Sequence, residues 1–128
     1  MAYYLLSAET RFSAAHRLPG VDRCDRVHGH DWRIRLTVRV DAAALGPAGM
    51  AVDLREVERV AQAAVEDFDH RDLNQLPVFA NLPPTAEEVA RIVFERAGTH
   101  FARIAPGARV EEVEVWETPD YRVVYRTG

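Results

Sequence analysis

Residues 31–40 alternate between polar and apolar side chains without a break, and this pattern constrains the fold more than any other part of the chain. Alternation with a period of two is typical of a β-strand that has one buried face and one polar face. The apolar face carries Trp32, Ile34, Leu36, Val38 and Val40, and the polar face carries Arg33, Arg35, Thr37 and Arg39. The segment therefore predicts a strand whose inner face belongs to the core.

Two histidines lie at the start of this strand, on its apolar side. His28 and His30 share the parity of Trp32, and side chains at i and i+2 point the same way, roughly 7 Å apart. An isolated His-x-His pair is more often hydrogen bonded than metal bound, but a buried apolar face does not accept two imidazoles without partners. The pair therefore favours a metal site.

A third histidine, His16, follows a second extended run at residues 3–13, which we expect to pair with the first strand. Three neutral imidazoles without a fourth protein ligand describe a zinc site with an open coordination position, which is the catalytic arrangement. We therefore predict that Zn²⁺ binds to His16, His28 and His30.

The rest of the chain predicts two helices and two further strands. Asp53 caps a helix whose apolar spacing runs through Phe68, and Thr85 opens a second helix, with Glu88 completing a capping box, that ends at Gly98. Residues 69–84 are rich in Asp, Asn and Pro and predict a loop. Residues 110–118 and 121–126 alternate as strands.

The element order ββααββ predicts an α+β fold in which a four-stranded antiparallel sheet carries both helices on one face. At 128 residues the chain is expected to form a single domain, residues 1–128. Such a sheet has open edges with unpaired backbone groups, so we expect a homo-oligomer.

Composition excludes several classes of function. The net charge of -4 supplies no basic field for nucleic acid, no apolar run is long enough to span a membrane, and the N-terminus does not resemble a secretory signal. All 16 basic residues are arginine, so no lysine is available for a Schiff base. The single cysteine, Cys24, excludes an internal disulfide and favours a reducing, cytoplasmic location.

Cys24 has three interpretations: a fourth metal ligand, an ordinary loop cysteine or a catalytic thiol. We favour catalysis, because Arg17, Arg23 and Arg26 surround it in sequence and positive charge favours the thiolate. Asp69 and His70, just past the first helix, are either a solvated helix end or a proton-transfer pair that faces this thiol.

Glu117 shares the parity of Val113 and Val115, so it either extends the inward row of its strand or is exposed where the strand ends. If it is buried, its carboxylate needs donors, and a flat ligand with adjacent N–H groups supplies two. His100 lacks a comparable setting and is interpreted as structural or solvated.

Five motifs together resemble the 6-pyruvoyltetrahydropterin synthase and 6-carboxytetrahydropterin synthase family and cover nearly the whole chain in the family's order. They are FSAAHRL at 12–18, CDRVHGH at 24–30, DHRDLN at 69–74, PTAE at 84–87 and VEVWET at 113–118. Each motif alone is weakly specific, but chance rarely produces all five.

The resemblance implies zinc held by the three histidines, a catalytic set of Cys24, Asp69 and His70, and a pterin anchored by Glu117. Thr85 and Glu87 match a further stretch near the substrate, although Thr85 also has a structural role as a helix cap. The resemblance also implies the T-fold (tunnelling fold), in which subunits join their sheets into a barrel, with active sites at subunit interfaces and a hexamer as the usual assembly.

The short C-x-x-x-H-G-H spacing resembles the bacterial 6-carboxytetrahydropterin synthases of the queuosine pathway. Ala86 after Thr85 interrupts the threonine pair of the animal enzymes, and Cys24 differs from the glutamate of the folate-linked branch. The implied substrate is 7,8-dihydroneopterin triphosphate. Arginines near the entrance of the site, Arg17 and Arg23 among them, are candidates for binding its phosphates. The alternatives are the pyruvoyl reaction, a side-chain aldolase reaction and a zinc-stabilised binding module without catalysis.

Overall fold

A computed structural model describes residues 1–128 and contains five strands and two helices. The strands are β1 (Tyr3–His16), β2 (His28–Asp41), β3 (Arg71–Asp72), β4 (Ala108–Thr118) and β5 (Tyr121–Tyr125), and the helices are α1 (Leu54–Ala64) and α2 (Ala86–Ile104). They form one sheet in the order β3-β1-β2-β4-β5. The four long strands pair antiparallel, and β3 pairs parallel with β1.

The predicted α+β fold and its four antiparallel strands are confirmed, and a fifth short strand is added. β3 lies in the segment that the sequence predicted as a loop, and it pairs only with Ala14 and Ala15. Long-range contacts hold it there: the backbone N–H of Arg17 donates to the Asn74 side chain at 2.8 Å, and the Asn74 amide donates back to the Arg17 carbonyl at 3.0 Å. Local propensity alone did not indicate this pairing.

The apolar face of β2 forms the centre of the core, as the alternation predicted. Trp32, Ile34 and Leu36 are fully buried, and they belong to one apolar cluster with residues of both helices. Phe12 on β1 stacks on Trp32 with ring centroids 5.6 Å apart. Both helices therefore cover the same face of the sheet. Neither helix is long and apolar enough to cross a bilayer.

The opposite face of the sheet carries charged side chains that form pairs between strands. Glu114 is only 5% exposed, although the sequence pattern placed it on the outer face. Arg35 on β2 and Arg122 on β5 lie 3.1 and 3.4 Å from its carboxylate. The two guanidinium groups supply the partners that a buried carboxylate needs.

The C-terminal ends of both helices differ from the sequence prediction. Helix α1 ends at Ala64, four residues before Phe68, and Arg96 donates to the Ala64 carbonyl at 2.8 Å. Helix α2 continues through Gly98 to Ile104, so the predicted end at Gly98 was wrong. Phe101, which is 1% exposed, extends the buried stripe of α2 beyond the glycine, and this packing outweighs the low helix propensity of glycine.

Replacing Gly98 with alanine is therefore expected to stabilise the protein. A Cβ at this position meets no atom within 4 Å, and the backbone there is helical. Alanine lowers the entropy of the unfolded chain, so the free energy of unfolding should rise by about 0.5–1 kcal/mol. Urea denaturation measures this change. A decrease in the unfolding midpoint would contradict the continuous helix.

Candidate active site

The three predicted metal ligands come together at one end of the sheet. His16 ends β1 directly opposite His28, which begins β2, and His30 follows two residues later on the same face. One ring nitrogen from each histidine forms a group in which all atoms lie within 4.8 Å of one another. Strand pairing thus brings His16 of β1 to the two histidines at the start of β2.

Backbone carbonyls fix the orientation of two of these rings. The Nδ1 atoms of His16 and His28 lie 2.7 Å from the carbonyl oxygens of Pro84 and Arg26, respectively. A carbonyl only accepts, so each Nδ1 carries the proton and donates it, which leaves Nε2 with a free lone pair. This second hydrogen bond is typical of metal-binding histidines.

The buried Nε2 atoms of His16 and His30 have no hydrogen-bond partner in the protein. An unpaired buried polar atom is unfavourable, and a metal ion removes this cost for both atoms at once. Three imidazole nitrogens suit zinc among the divalent ions. The three histidines are therefore suitable ligands for zinc, and zinc binding here remains a prediction.

Burial lowers the pKa of His16 below its usual value, partly offset by the hydrogen bond to Pro84 and the charge of Glu117. Burial also lowers the pKa of His30, and the charge of Glu117 again acts in the opposite direction. Desolvation disfavours the charged imidazole. Both rings are therefore neutral at physiological pH, which is the form that binds metals.

The metal-free protein should consequently lose stability as the pH falls through about 6.5, the ordinary histidine pKa. Below that pH the unfolded chain binds protons that folded His16 and His30 resist, so the free energy of unfolding decreases until the lowered folded pKa values are reached. Urea denaturation at pH 8, 7, 6 and 5.5 measures the loss. His30→Gln should reduce the pH dependence and His100→Gln should not; equal slopes in all three proteins would contradict the assignment.

Glu117 lies beside the histidines. Its Oε1 atom is 3.4 Å from Nε2 of His30, and its side chain is 23% exposed. The pairing of β4 with β5 shifts between Trp116 and Thr118, so Glu117 occupies an irregularity at the end of the strand. The sequence left open whether Glu117 extends the inward row of its strand or is exposed at the strand end. In the structure it faces inward, beside His30.

Asp69 and His70 form a pair that strand β1 holds in place. The Ser13 N–H donates to Asp69 at 2.9 Å, and the His70 N–H donates to the Ser13 carbonyl at 2.6 Å. His70 has a left-handed backbone, with φ of 58°, and its Nδ1 lies 3.0 Å from Asp69. The Ser13 N–H and His70 lower the pKa of Asp69. His70 is 82% exposed, so its Nε2 side faces solvent.

Cys24 forms no hydrogen bond with this pair within the chain. It occupies a short 3-10 turn, Asp22–Asp25, and is partly buried. Arg17, which we expect to surround the thiol with positive charge, instead pairs with Asp25 at 2.6 Å. Within one chain, therefore, no hydrogen bond joins the thiol to the other two members of the predicted catalytic set.

Thr85 has the structural role that the sequence predicted. Its hydroxyl accepts from the Glu88 N–H at 3.1 Å and caps α2. The second half of the predicted capping box is absent, because the Glu88 carboxylate pairs with Arg91 at 2.8 Å. Glu87 is exposed on the first turn of α2 and forms no ion pair. The residue before the cap, Pro84, is the one that orients His16.

The described geometry can be compared with known proteins. The family model described as 6-pyruvoyl tetrahydropterin synthase matches residues 5–128. The chain belongs to the 6-pyruvoyl tetrahydropterin synthase family. This membership confirms the resemblance carried by the five motifs, and it assigns the protein to a family of pterin-processing enzymes.

Relatives within the 6-pyruvoyl tetrahydropterin synthase family carry different functional names. A Synechocystis protein described as 6-carboxy-5,6,7,8-tetrahydropterin synthase is 32% identical, over 90% of this chain and 87% of that protein. A Pyrococcus furiosus protein described as dihydroneopterin monophosphate aldolase is 26% identical, over 88% of each chain. The structure of Caenorhabditis elegans 6-pyruvoyl tetrahydropterin synthase matches with a TM-score of 0.83 at 24% identity, covering 100% of this chain and 98% of that chain, which supports the T-fold.

Proposed function

We propose that the protein converts 7,8-dihydroneopterin triphosphate and water to 6-carboxy-5,6,7,8-tetrahydropterin, acetaldehyde and triphosphate, as a zinc-dependent carbon-carbon lyase. The observation that carries the proposal is the convergence of three histidines, two with unpartnered buried Nε2 atoms, next to the carboxylate of Glu117. The 32% identity to a 6-carboxytetrahydropterin synthase and the short C-x-x-x-H-G-H spacing favour this reaction within the family.

His16, His28 and His30 would hold the zinc ion through their Nε2 atoms. When bound, zinc supplies Lewis acidity, which lowers the pKa of side-chain hydroxyls and stabilises negative charge on oxygen. The protein contributes neutral imidazoles of fixed tautomer, because the carbonyls of Pro84 and Arg26 hold two of the Nδ1 protons. Burial of His16 keeps this ligand rigid at 0% exposure.

Glu117 orients the pterin ring. A carboxylate accepts two N–H groups side by side, and the exocyclic amino group and the adjacent ring N–H of a pterin present that pair. Glu117 lies 3.4 Å from His30, so a ring held by it lies at the histidine end of the sheet. We propose that the C6 side chain of this ring reaches the ion that the histidines would hold. We propose that Thr85 and Glu87 lie near the same substrate, Thr85 in addition to its role as helix cap.

Cys24, Asp69 and His70 move protons between the side chain and the ring. Asp69 fixes Nδ1 of His70, so that Nε2 is the atom that exchanges a proton. The His70 side chain is 82% exposed and forms no hydrogen bond with Cys24, and we propose that a second subunit brings the two together. The outer edge of β1 is paired only at its last residues, and β5 forms the opposite edge of the sheet. These edges suit a barrel of joined sheets within a homo-oligomer, for which we propose a hexamer.

Product analysis tests the reaction. We expect the zinc-loaded protein to release acetaldehyde and 6-carboxytetrahydropterin from 7,8-dihydroneopterin triphosphate, measured by derivatisation and mass spectrometry. A pyruvoyl product without acetaldehyde would reject the carboxy reaction in favour of the pyruvoyl alternative. Release of glycolaldehyde triphosphate, the terminal two-carbon fragment with its phosphates still attached, would indicate the aldolase alternative. The carboxy product would be consistent with a role in queuosine biosynthesis in the cytoplasm.

A further inference from the structure

Arg71 lies at the exposed rim of the site and has no role in the mechanism above. It is the first residue of β3, directly after His70 and level with Ala14 of β1. With His30 and His70 it lines an open cleft at the histidine end of the sheet. The remaining residues of this cleft are Ser13, Ala14, Ala15, Gly29 and Asp31. Arg71 therefore lines the same cleft as a metal-ligand candidate and a proton-transfer candidate, and it also lines a neighbouring cavity with Asp67, Arg96 and His100.

No carboxylate lies within 4.0 Å of the Arg71 guanidinium. Two other arginines near this end of the molecule are neutralised by ion pairs, Arg17 with Asp25 at 2.6 Å and Arg96 with Asp67 at 2.7 Å. Arg71 thus carries an unpaired positive charge and a planar set of donors at the rim of the cleft.

The two carboxylates near the cleft already have partners. Asp31 accepts from the Ser13 hydroxyl at 2.6 Å, and Asp69 accepts from the Ser13 N–H and lies against His70. Neither carboxylate is within pairing distance of Arg71. The cation in the cleft is therefore the group that lacks a partner, and an anionic ligand is the chemistry that supplies one.

We propose that Arg71 binds the phosphate chain of the substrate, an inference that rests on the proposed function. In dihydroneopterin triphosphate the phosphates are attached to the terminal carbon of a three-carbon side chain that extends from the pterin ring. With the ring at Glu117 and the side chain at the histidines, the chain terminus enters the cleft that runs from His30 to Arg71. Arginine forms bidentate, charge-assisted hydrogen bonds to phosphate oxygens. This assignment replaces the expectation that Arg17 fills this role, because Arg17 is committed to Asp25.

Equilibrium binding of two oxidised, fluorescent probes tests the proposal without requiring turnover. The probes are neopterin and neopterin triphosphate, each titrated against the zinc-loaded protein. The Kd of neopterin divided by the Kd of neopterin triphosphate measures how much the phosphates strengthen binding. Arg71→Ala should decrease this ratio by at least about tenfold, while the Kd of neopterin stays unchanged. Arg71→Lys should retain part of the ratio, because lysine keeps the charge but not the bidentate geometry. Arg103→Ala removes another exposed arginine without a carboxylate partner, far along α2, and should leave both Kd values unchanged.

The outcomes separate this inference from the proposed function. If the wild-type protein binds both probes and Arg71→Ala keeps the wild-type ratio, the Arg71 assignment is wrong and the pterin site remains. If the ratio falls in Arg23→Ala instead, a different arginine binds the phosphates and the Arg71 assignment is again wrong. If the wild-type protein binds neither probe, the proposed function fails, and the Arg71 assignment fails with it.

Discussion

The His28→Ala variant is expected to bind no stoichiometric zinc and to lose activity by on the order of 1,000-fold, the size of effect that removal of a catalytic metal produces. His28 provides one of three converging nitrogens, and two imidazoles do not retain the ion against solvent. His28 is only partly buried, whereas His16 is fully buried, so the fold is expected to tolerate the change at position 28. Metal content by mass spectrometry and the rate of product formation measure the two effects.

His100→Ala is the matched control, because His100 lies on α2 away from the other histidines and should leave zinc content and activity unchanged. Zinc binding that persists in His28→Ala at wild-type stoichiometry would contradict the proposed ligand set. Removal of zinc from the wild-type protein distinguishes an enzyme from a zinc-stabilised binding module. The lyase should lose activity and remain folded, as measured by circular dichroism, whereas a module that depends on the metal for its structure should unfold.

The sequence predicts the convergence of the three histidines because strand geometry is regular. Period-two alternation fixes the face of every side chain in β2, so the positions of His28 and His30 relative to Trp32 follow from counting residues. The antiparallel register then brings His16 opposite His28. The relative positions of the three histidines therefore follow from strand pairing and do not depend on the conformation of a loop.

The remainder of the site depends on contacts between distant segments, which no local pattern encodes. Asp69 and His70 are held by the backbone of Ser13, 56 residues away from Asp69, and backbone groups carry no residue-specific signal. The same limit applies to α2, which continues through Gly98 because Phe101 packs in the core. Glu114 likewise is buried where Arg35 and Arg122 from the two neighbouring strands pair with it. Packing and ion pairs between elements decided each of these features.

Cys24→Ala is expected to reduce kcat by about 100-fold to 10,000-fold, the range for loss of a general acid or base. Zinc content and the Kd of neopterin should stay at wild-type values, because Cys24 is not one of the three converging ligands and Glu117 is the proposed pterin anchor. His70→Ala should give a comparable loss in kcat, since the Nε2 atom of His70 is the proposed partner of Cys24 in moving protons between the side chain and the ring. Steady-state kinetics and equilibrium binding of neopterin separate the chemical step from substrate binding.

Mixing these two inactive variants shows whether Cys24 and His70 of one active site come from the same chain or from two chains. If one subunit contributes Cys24 and its neighbour contributes Asp69 and His70, random mixing of equal amounts restores both groups in about a quarter of the sites of a symmetric assembly. Co-refolded Cys24→Ala and His70→Ala chains should therefore recover activity that neither variant has alone. If a single chain supplies all three groups, every site in the mixture lacks one of them, and activity stays at the level of the separate variants. The second outcome would contradict the shared site and would assign the exposed His70 and the thiol to the same chain.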